Sequence, residues 1–506
     1  MAKSNTKIIA TVGPASREPR VIDAMIAAGV DVLRINCSHG DADTNAALVA
    51  AVRSRCDASP RVVAVLADLQ GPKLRVGDLD EPVDLQAGQV VTFFCGPQVD
   101  AGQRIPIDHP ELASDCRGGD RLLLCDGLIE TEVILAEGDE VVARVVKGGH
   151  LTSRKGVNLP GYGLGTRAPT TKDLADLPGV LDAGADFVAL SFVRGPEDIV
   201  RLRRTIESLG RHTPIVAKLE RPEAIDKLDS IVAESDAVMV ARGDLGIEID
   251  PAMVPVVQKR IISTAQQYAK PVIVATEMLE SMIDNPRPTR AEVSDVANAI
   301  VDGTDAVMLS GETAAGRFPV EAVQEMARIA VLTEGELDQG ITREEHKRHV
   351  TRTQALAHAI TQLVADLHPK AIVVHTQTGT SARLISAYRP PVPVIGLCPD
   401  PVVLRRLCLF YAVHPLGTED CSSHEELVAQ ANDLAYASGL VDDHDTIILM
   451  SGTPGPAGGT DRLMVHEVVA PEHRAVPEGS PHEASAEAPA EAPAEAPEET
   501  PGPARV

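Results

Sequence analysis

Ile215-Val-Ala-Lys218-Leu-Glu220 and, after a polar interval, Ala237-Val-Met-Val-Ala-Arg242-Gly243-Asp244-Leu-Gly246 are two short apolar runs that each end in charge. Their length and β-branched content are those of buried parallel strands. Charge is not tolerated inside such strands, so Lys218, Glu220 and Asp244 belong at strand ends, gathered around one point. Two carboxylates suit Mg²⁺, which takes a few protein oxygens and completes its shell with substrate and water. An ammonium beside them stabilises negative charge developing on a substrate. A strand-end ion-pair network would gather the same charges, so the rest of the chain has to decide between the two.

The same punctuation recurs along the chain. Ala28-Gly29-Val30-Asp31 leads into a run ending at Asn36, Ala183-Gly184-Ala185-Asp186 into one ending at Ser191, and Asp302-Gly303-Thr304-Asp305 into one ending at Ser310. A glycine closes each helical pattern, where a left-handed C-cap is wanted, and a strand follows within two residues. Eight such strands are expected, starting near Lys7, Asp31, Val62, Asp186, Pro214, Asp236, Pro271 and Asp305, with amphipathic helices between them. Eight βα units in series predict a TIM (β/α)8 barrel. A doubly wound open sheet is the alternative, and eight regular units favour closure.

One interval breaks the rhythm. Between the third strand and a helix near Thr171, short alternating runs at 89–94, 121–125, 129–135 and 141–147 are separated by turns. They predict a small β-barrel domain inserted in a barrel loop. Past a polar link at 338–352, βα alternation resumes, with strands expected at 371–376, 394–398, 412–416, 446–450 and 463–468. The expected domains are therefore a first barrel segment (1–71), an inserted β lid (72–169), a second barrel segment (170–338), a C-terminal open α/β domain (339–476) and a disordered Ala/Pro/Glu tail (477–506).

A formal net charge of -26 with no basic tract argues against nucleic-acid binding. No apolar run is long enough to span a bilayer, and no signal-peptide core follows the first methionine, so no membrane association and a cytoplasmic location are expected. The eight cysteines include no C-x-x-C pair and read as reduced, mostly buried thiols.

In a TIM barrel the active site lies at the C-terminal strand ends. Arg34, Asn36, Ser38 and His39 stand there on the second strand, Asp68 on the third, Lys218 and Glu220 on the fifth, and Arg242 to Asp244 on the sixth. Thr276 and Glu277 follow on the seventh, Ser310 and Glu312 on the eighth. A structural network has no need to collect at the same end each time. Arg34 can grip a phosphate, and a helix starting at Arg242 offers free N–H groups to a carboxylate or phosphate. The set suits a small phosphorylated carboxylate and phosphoryl transfer, which needs mainly positioning and charge neutralisation. There is no Walker A motif.

The ordered motifs complete the reading. They are Thr11-Val-Gly-Pro-Ala-Ser16, Leu33-Arg-Ile-Asn-Cys-Ser-His-Gly40, Asp68-Leu-Gln-Gly-Pro-Lys-Leu-Arg75, Ala217-Lys-Leu-Glu220, Val240-Ala-Arg-Gly-Asp-Leu-Gly246, Ala275-Thr-Glu-Met-Leu-Glu-Ser281 and Met308-Leu-Ser-Gly-Glu-Thr313. Over nearly everything but the tail, the chain resembles the pyruvate kinases. The resemblance implies transfer of the phosphoryl group of phosphoenolpyruvate to ADP, giving pyruvate and ATP in glycolysis. It implies Glu220 and Asp244 as Mg²⁺ ligands, with Mn²⁺ as a substitute. Lys218 is implied on the transferring phosphoryl and the enolate, and Arg34 on the phosphate. Arg242, Gly243, Asp244 and Thr276 are implied at the substrate carboxylate. Thr276, Ser310 and Glu312 are implied on a proton route to the methylene carbon. Asn36, His39 and Arg75, with Asp126 and Lys155 from the lid, are implied around the nucleotide, and a homotetramer as the assembly.

Three positions depart from the family or call for comment. Many pyruvate kinases hold K⁺ at positions matching Asn36, Ser38, Asp68 and the Leu69 carbonyl, and carry a glutamate where this chain has Lys73. An ammonium there can supply the missing charge, so K⁺-independent activity is expected. Arg221 stands where asparagine is common, with no role legible. In the C-terminal domain, Thr376-Gln-Thr378-Gly379-Thr380-Ser381 is a hydroxyl-rich strand-to-helix turn suited to phosphate. By resemblance it takes a phosphorylated effector, AMP or a sugar phosphate, opposite a loop at 452–460. Two rival functions are kept: a metal-dependent pyruvate-enolate lyase on the same barrel, and a catalytically dead metabolite sensor.

Overall fold

The computed structural model describes residues 4–38, 40–96, 104–125, 127–160, 167–337, 351–452 and 459–473. His39, Asp126, most of the expected link, most of the 452–460 loop and the acidic tail lie outside the described residues.

Eight parallel strands form a closed barrel: β1 (Lys7–Val12), β2 (Val32–Asn36), β3 (Ala64–Asp68), β4 (Phe187–Leu190), β5 (Ile215–Leu219), β6 (Ala237–Ala241), β7 (Val272–Ala275) and β8 (Ala306–Leu309). Pairing of Lys7 with Ala306 joins β1 to β8 and rules out the open-sheet alternative. Each strand starts within two residues of its expected position. The punctuating glycines Gly29, Gly184 and Gly303 all have positive φ, as a left-handed helix C-cap requires.

Side-chain parity then decides what faces the substrate. Ile9, Val32, Leu66, Ala189, Val216, Met239, Ile273 and Met308 fill the barrel, and their neighbours Ile8, Leu33, Val65, Val188, Ala217, Val240, Val274 and Val307 pack under the helices. Two residues further along each inward-facing set stand Thr11, Arg34, Asp68, Ser191, Lys218 and Ser310. The strand period of two thus delivers these side chains to the mouth of the barrel.

The aspartates that lead the even-numbered strands have a use at the opposite face. Asp31 Oδ2 accepts the Ile8 N–H at 3.1 Å, Asp186 Oδ2 that of Val65 at 2.9 Å, and Asp236 Oδ2 that of Ile215 at 2.9 Å. Asp305 Oδ2 accepts that of Val272 at 2.8 Å. Each even-numbered strand therefore caps the odd-numbered strand before it. Arginines balance these buried charges, two of them from the C-terminal domain: Arg405 on Asp186 at 2.7 Å and Arg389 on Asp305 at 3.5 Å.

The lid sheet has seven strands, from Leu74–Arg75 at one edge to Arg104–Pro106 at the other. An antiparallel bridge between Val76 and Ile107, with the Gly77 N–H donating to Pro106 O at 2.8 Å, brings these edges together. The C-terminal sheet orders β9 (Ala371–His375), β10 (Val394–Cys398), β11 (Val413–Gly417), β12 (Thr446–Gly452) and β13 (Thr460–Glu467) as β11-β10-β9-β12-β13, with β13 antiparallel. The eight cysteines are free. Among the described residues, no helix is long and apolar enough to cross a membrane.

Candidate active site

At the mouth of the barrel the strand-end charges form one cluster. Lys218 Nζ lies 2.9 Å from Glu220 Oε1 and 3.4 Å from Asp68 Oδ1, and donates to Ser191 Oγ at 2.8 Å. Ser191 Oγ in turn donates to Leu69 O at 2.7 Å. Arg34 reaches Asp68 Oδ2 through Nε at 2.8 Å and Nη2 at 2.7 Å, and Thr11 Oγ1 through Nη1 at 3.0 Å. Burial alone would strip the Lys218 proton, yet Asp68, Glu220 and Asp244 outweigh it and hold the ammonium above the usual lysine range. Burial pushes the Glu220 carboxyl up to about 7 against the pull of Lys218.

Glu220 is the telling residue. It is fully buried, and neither carboxylate oxygen has a hydrogen-bond partner. Lys218 Nζ, at 2.9 Å from Oε1, is its ion-pair partner. A buried carboxylate with two uncommitted oxygens is costly as a structural element. It fits a divalent cation, with Asp244 as the second ligand from the next strand. Asp244 Oδ1 is met by Lys73 Nζ at 3.1 Å, so the lid's first strand begins with an ammonium inside the site. A cleft of about 920 Å³ opens above, lined by Lys73, Asp244, Thr276 and Ser310 among others.

Next to the charges, the backbone is shaped for an anion. A short helix, Arg242–Glu248, starts at the end of β6. Gly243 N–H donates to Thr276 Oγ1 at 2.7 Å, and a Cβ on Gly243 would meet nothing closer than that oxygen at 3.4 Å, so the helix start stays open. Thr276 and Glu277 both have positive φ, 69° and 54°. For a β-branched residue this is a genuine outlier, and such strain gathers at functional sites. The Arg242 guanidinium holds the turn by donating to Thr276 O at 2.7 Å and Glu277 O at 2.9 Å, and pairs with Asp295 at 2.6 Å. Arg242 therefore offers its backbone to the cleft and spends its side chain on the turn.

At β8, the Ser310 hydroxyl is buried without a partner. Glu312 is fully buried and accepts the Ser310 N–H at 2.7 Å and the Leu279 N–H at 3.0 Å, so its carboxylate anchors two loops. Asn36 Oδ1 accepts the Ser38 N–H at 3.1 Å. Arg75 donates to Arg154 O at 3.0 Å within the lid, and Lys155 is exposed. Among the described residues, no side-chain hydrogen bond or ion pair ties Lys155 to the cluster. In the C-terminal domain Gly379 (φ 79°) starts the helix Thr380–Ala387, and its N–H donates to Thr376 Oγ1 at 3.0 Å. Ser381 Oγ lies 2.5 Å from Thr460 Oγ1, and Thr378 and Thr380 are exposed at the same turn.

The structure also gives Arg221 a place. Its Nη1 donates to Glu248 Oε1 at 2.8 Å, with both side chains buried. The bond runs from the loop of Glu220 to the far end of the helix that carries Asp244 in its first turn, and so sets the two carboxylates relative to one another. Arg221→Met is expected to raise the Mg²⁺ concentration needed for half-maximal activity about 10- to 100-fold, in the range of lost outer-shell partners. An unchanged Mg²⁺ requirement in a steady-state titration would remove Arg221 from this role. Sequence reading missed Ser191 and Thr11, although both stand at inward strand ends.

Family models and relatives match the sequence over most of its length. The model described as "Pyruvate kinase, barrel domain" matches residues 3–323, and "Pyruvate kinase, alpha/beta domain" matches 354–466. The "Pyruvate kinase" of Mycobacterium tuberculosis (strain ATCC 25618 / H37Rv) is 40% identical over 466 residues, covering 91% of this chain and 98% of that protein. "Pyruvate kinase 2" of Synechocystis sp. is 43% identical over 474 residues, 92% of this chain and 79% of its own. The "Pyruvate kinase" of Geobacillus stearothermophilus is 38% identical over 473 residues, 92% and 81% respectively.

Proposed function

This chain belongs to the pyruvate kinase family, and we propose that its strand-end cluster transfers the phosphoryl group of phosphoenolpyruvate to ADP. The bond from phosphorus to the enol oxygen breaks, and a β-phosphate oxygen of ADP forms the new bond. The electron pair left on the enol oxygen is carried to pyruvate by protonation of the methylene carbon. The observation that supports this best is the buried Lys218–Glu220 pair, with its cation held charged and its carboxylate uncommitted.

Glu220 and Asp244 would hold Mg²⁺, or Mn²⁺ in its place; the ion supplies charge neutralisation on the phosphoryl and enolate oxygens when bound. Lys218 adds a fixed positive charge where the enolate oxygen develops its own. Arg34 exchanges part of its hold on Asp68 for the phosphate. The helix start at Gly243 and Asp244 orients the substrate carboxylate, the Gly243 N–H exchanging Thr276 Oγ1 for it. The unpartnered Ser310 hydroxyl is positioned to pass a proton through water, with Glu312 holding its backbone in place. Asn36, His39, Arg75, Asp126 and Lys155 surround the nucleotide, the lid bringing the last two. The Thr376, Thr378, Gly379, Thr380 and Ser381 turn binds a phosphorylated effector, AMP or a sugar phosphate, and the assembly is a homotetramer.

Lys73 replaces the monovalent cation of Asn36, Ser38, Asp68 and Leu69 with a tethered charge. Its contact with Asp244 supports a position inside the site. The test is pyruvate formation from phosphoenolpyruvate in Mg²⁺ buffer, with tetramethylammonium or K⁺ as sole monovalent cation, with and without ADP, AMP and sugar phosphates. Comparable ADP-dependent rates in both salts are expected. In Lys73→Glu, the K⁺-free rate should drop about 10- to 100-fold and return with K⁺, the size of one lost charge contact at a buried site. Turnover only in K⁺ discards the Lys73 argument; turnover without ADP favours a lyase; none at all favours a sensor.

A further inference from the structure

A second metal-ligating cluster lies on the C-terminal domain. Asp443 and His444 sit in the turn before β12, and His473 closes the short helical turn Pro471–His473 after β13. One donor atom from each lies within 4.8 Å of the others. His444 has positive φ (65°).

The surrounding bonds orient two of the three donors, those of His444 and Asp443, toward one point. His444 Nδ1 is 2.8 Å from Glu467 Oε1, so in the neutral ring Nδ1 carries the proton and Nε2 keeps its lone pair. That Nε2 lies 3.4 Å from Asp443 Oδ2. Ligands on one tetrahedral Zn²⁺ with bonds of about 2.05 Å stand about 3.4 Å apart. Asp443 Oδ1 accepts the Ala470 N–H at 2.7 Å, leaving Oδ2 turned to the cluster. His473 Nδ1 reaches the same Oδ2 at 2.5 Å, a hydrogen bond that would open by about 1 Å to admit an ion with the bonds given above. The two rings lie nearly parallel, 6.5 Å apart. A histidine held by a carboxylate and a carboxylate held by a backbone N–H are the outer-shell devices of zinc sites.

We propose that Asp443, His444 and His473 form a surface site for a first-row transition cation of the Zn²⁺ type, with Glu467 as its orienting carboxylate. Two nitrogens and one oxygen select such ions over Mg²⁺ and leave a coordination position open. Both imidazoles are mostly exposed, so the ion has free access. The bound ion ties the turn that carries His473 onto the domain.

The test uses the untagged full chain in saturating Mg²⁺, which keeps the barrel site occupied, titrated calorimetrically with ZnCl₂. One site per chain of micromolar or tighter affinity is expected. His444→Gln and, separately, His473→Gln should weaken it at least 100-fold, and Glu467→Ala about 10- to 100-fold. Co²⁺ should give visible ligand-field bands that disappear in the two histidine variants. Mg²⁺-supported pyruvate formation should be the same in all three. Unchanged Zn²⁺ stoichiometry in both histidine variants would overturn the assignment, as would displacement of the bound Zn²⁺ by more Mg²⁺.

Discussion

Lys218→Met lowers kcat for pyruvate formation by about 10⁴-fold, or ~5.5 kcal/mol, with little change in the apparent affinity for phosphoenolpyruvate. The size follows from what a dedicated cation is worth in phosphoryl transfer, about 10³- to 10⁵-fold. Methionine keeps the length and apolar stem of lysine, so packing against β5 survives. The substrate's anchors at Arg34, Gly243 and Thr276 are untouched. The loss therefore falls on the step in which the enol oxygen acquires charge. Asp68 keeps Arg34 as a partner at 2.7 Å, so the barrel mouth does not collapse. A fall in kcat of less than tenfold, in protein with a native circular dichroism spectrum, would take Lys218 out of the chemistry.

The second large effect is Glu220→Gln, which separates stability from activity. The side chain keeps its shape but loses a buried charge whose oxygens have no hydrogen-bond partners. Metal-free protein should hold its melting temperature, since Lys218 keeps Asp68 and Ser191 as partners and burial already pushes the Glu220 carboxyl toward its neutral form. Activity should fall about 10³-fold, because a neutral amide is a poor ligand for a hard cation and the neutralising charge is lost. The rise in melting temperature that Mg²⁺ gives the parent by mass action should shrink with it. Differential scanning calorimetry with and without Mg²⁺, beside an activity assay, reads all three. A variant that melts well below the parent without metal would show Glu220 to be a structural carboxylate.

The barrel was legible because parallel strands read as short apolar runs between turn signals, and Gly-x-Asp marks where three of them, β2, β4 and β8, begin. Lid strands of three residues, such as Val83–Leu85 and Gly149–Leu151, were not, since three residues carry no visible alternation. In the site, Lys218, Glu220 and Asp244 stood out because charge at the end of an apolar run demands an explanation. Ser191 and Thr11 carry no charge, and only the barrel's parity shows that they face inward. Arg242 held a clue that went unused. A cation at a helix N-terminus opposes the helix dipole, which already says that its side chain turns elsewhere. The strand-leading aspartates read as turn residues, because which N–H they accept depends on the neighbouring strand's register.

Those aspartates bear on the order in which the chain assembles. Each closes a unit of two consecutive strands, and for β5 and β6 the closing bond spans only 21 residues. For β3 and β4 it spans 121, because the lid lies between. Loop closure over the longer span costs about 1.6 kcal/mol more, as the logarithm of the length ratio. The lid removes much of that cost once its own ends meet, since Arg75 pairs with Gly156 and short-circuits the intervening chain. The lid is thus a folding aid to the barrel it interrupts: the second two-strand unit, β3 and β4, closes through the insertion that would otherwise keep its halves apart.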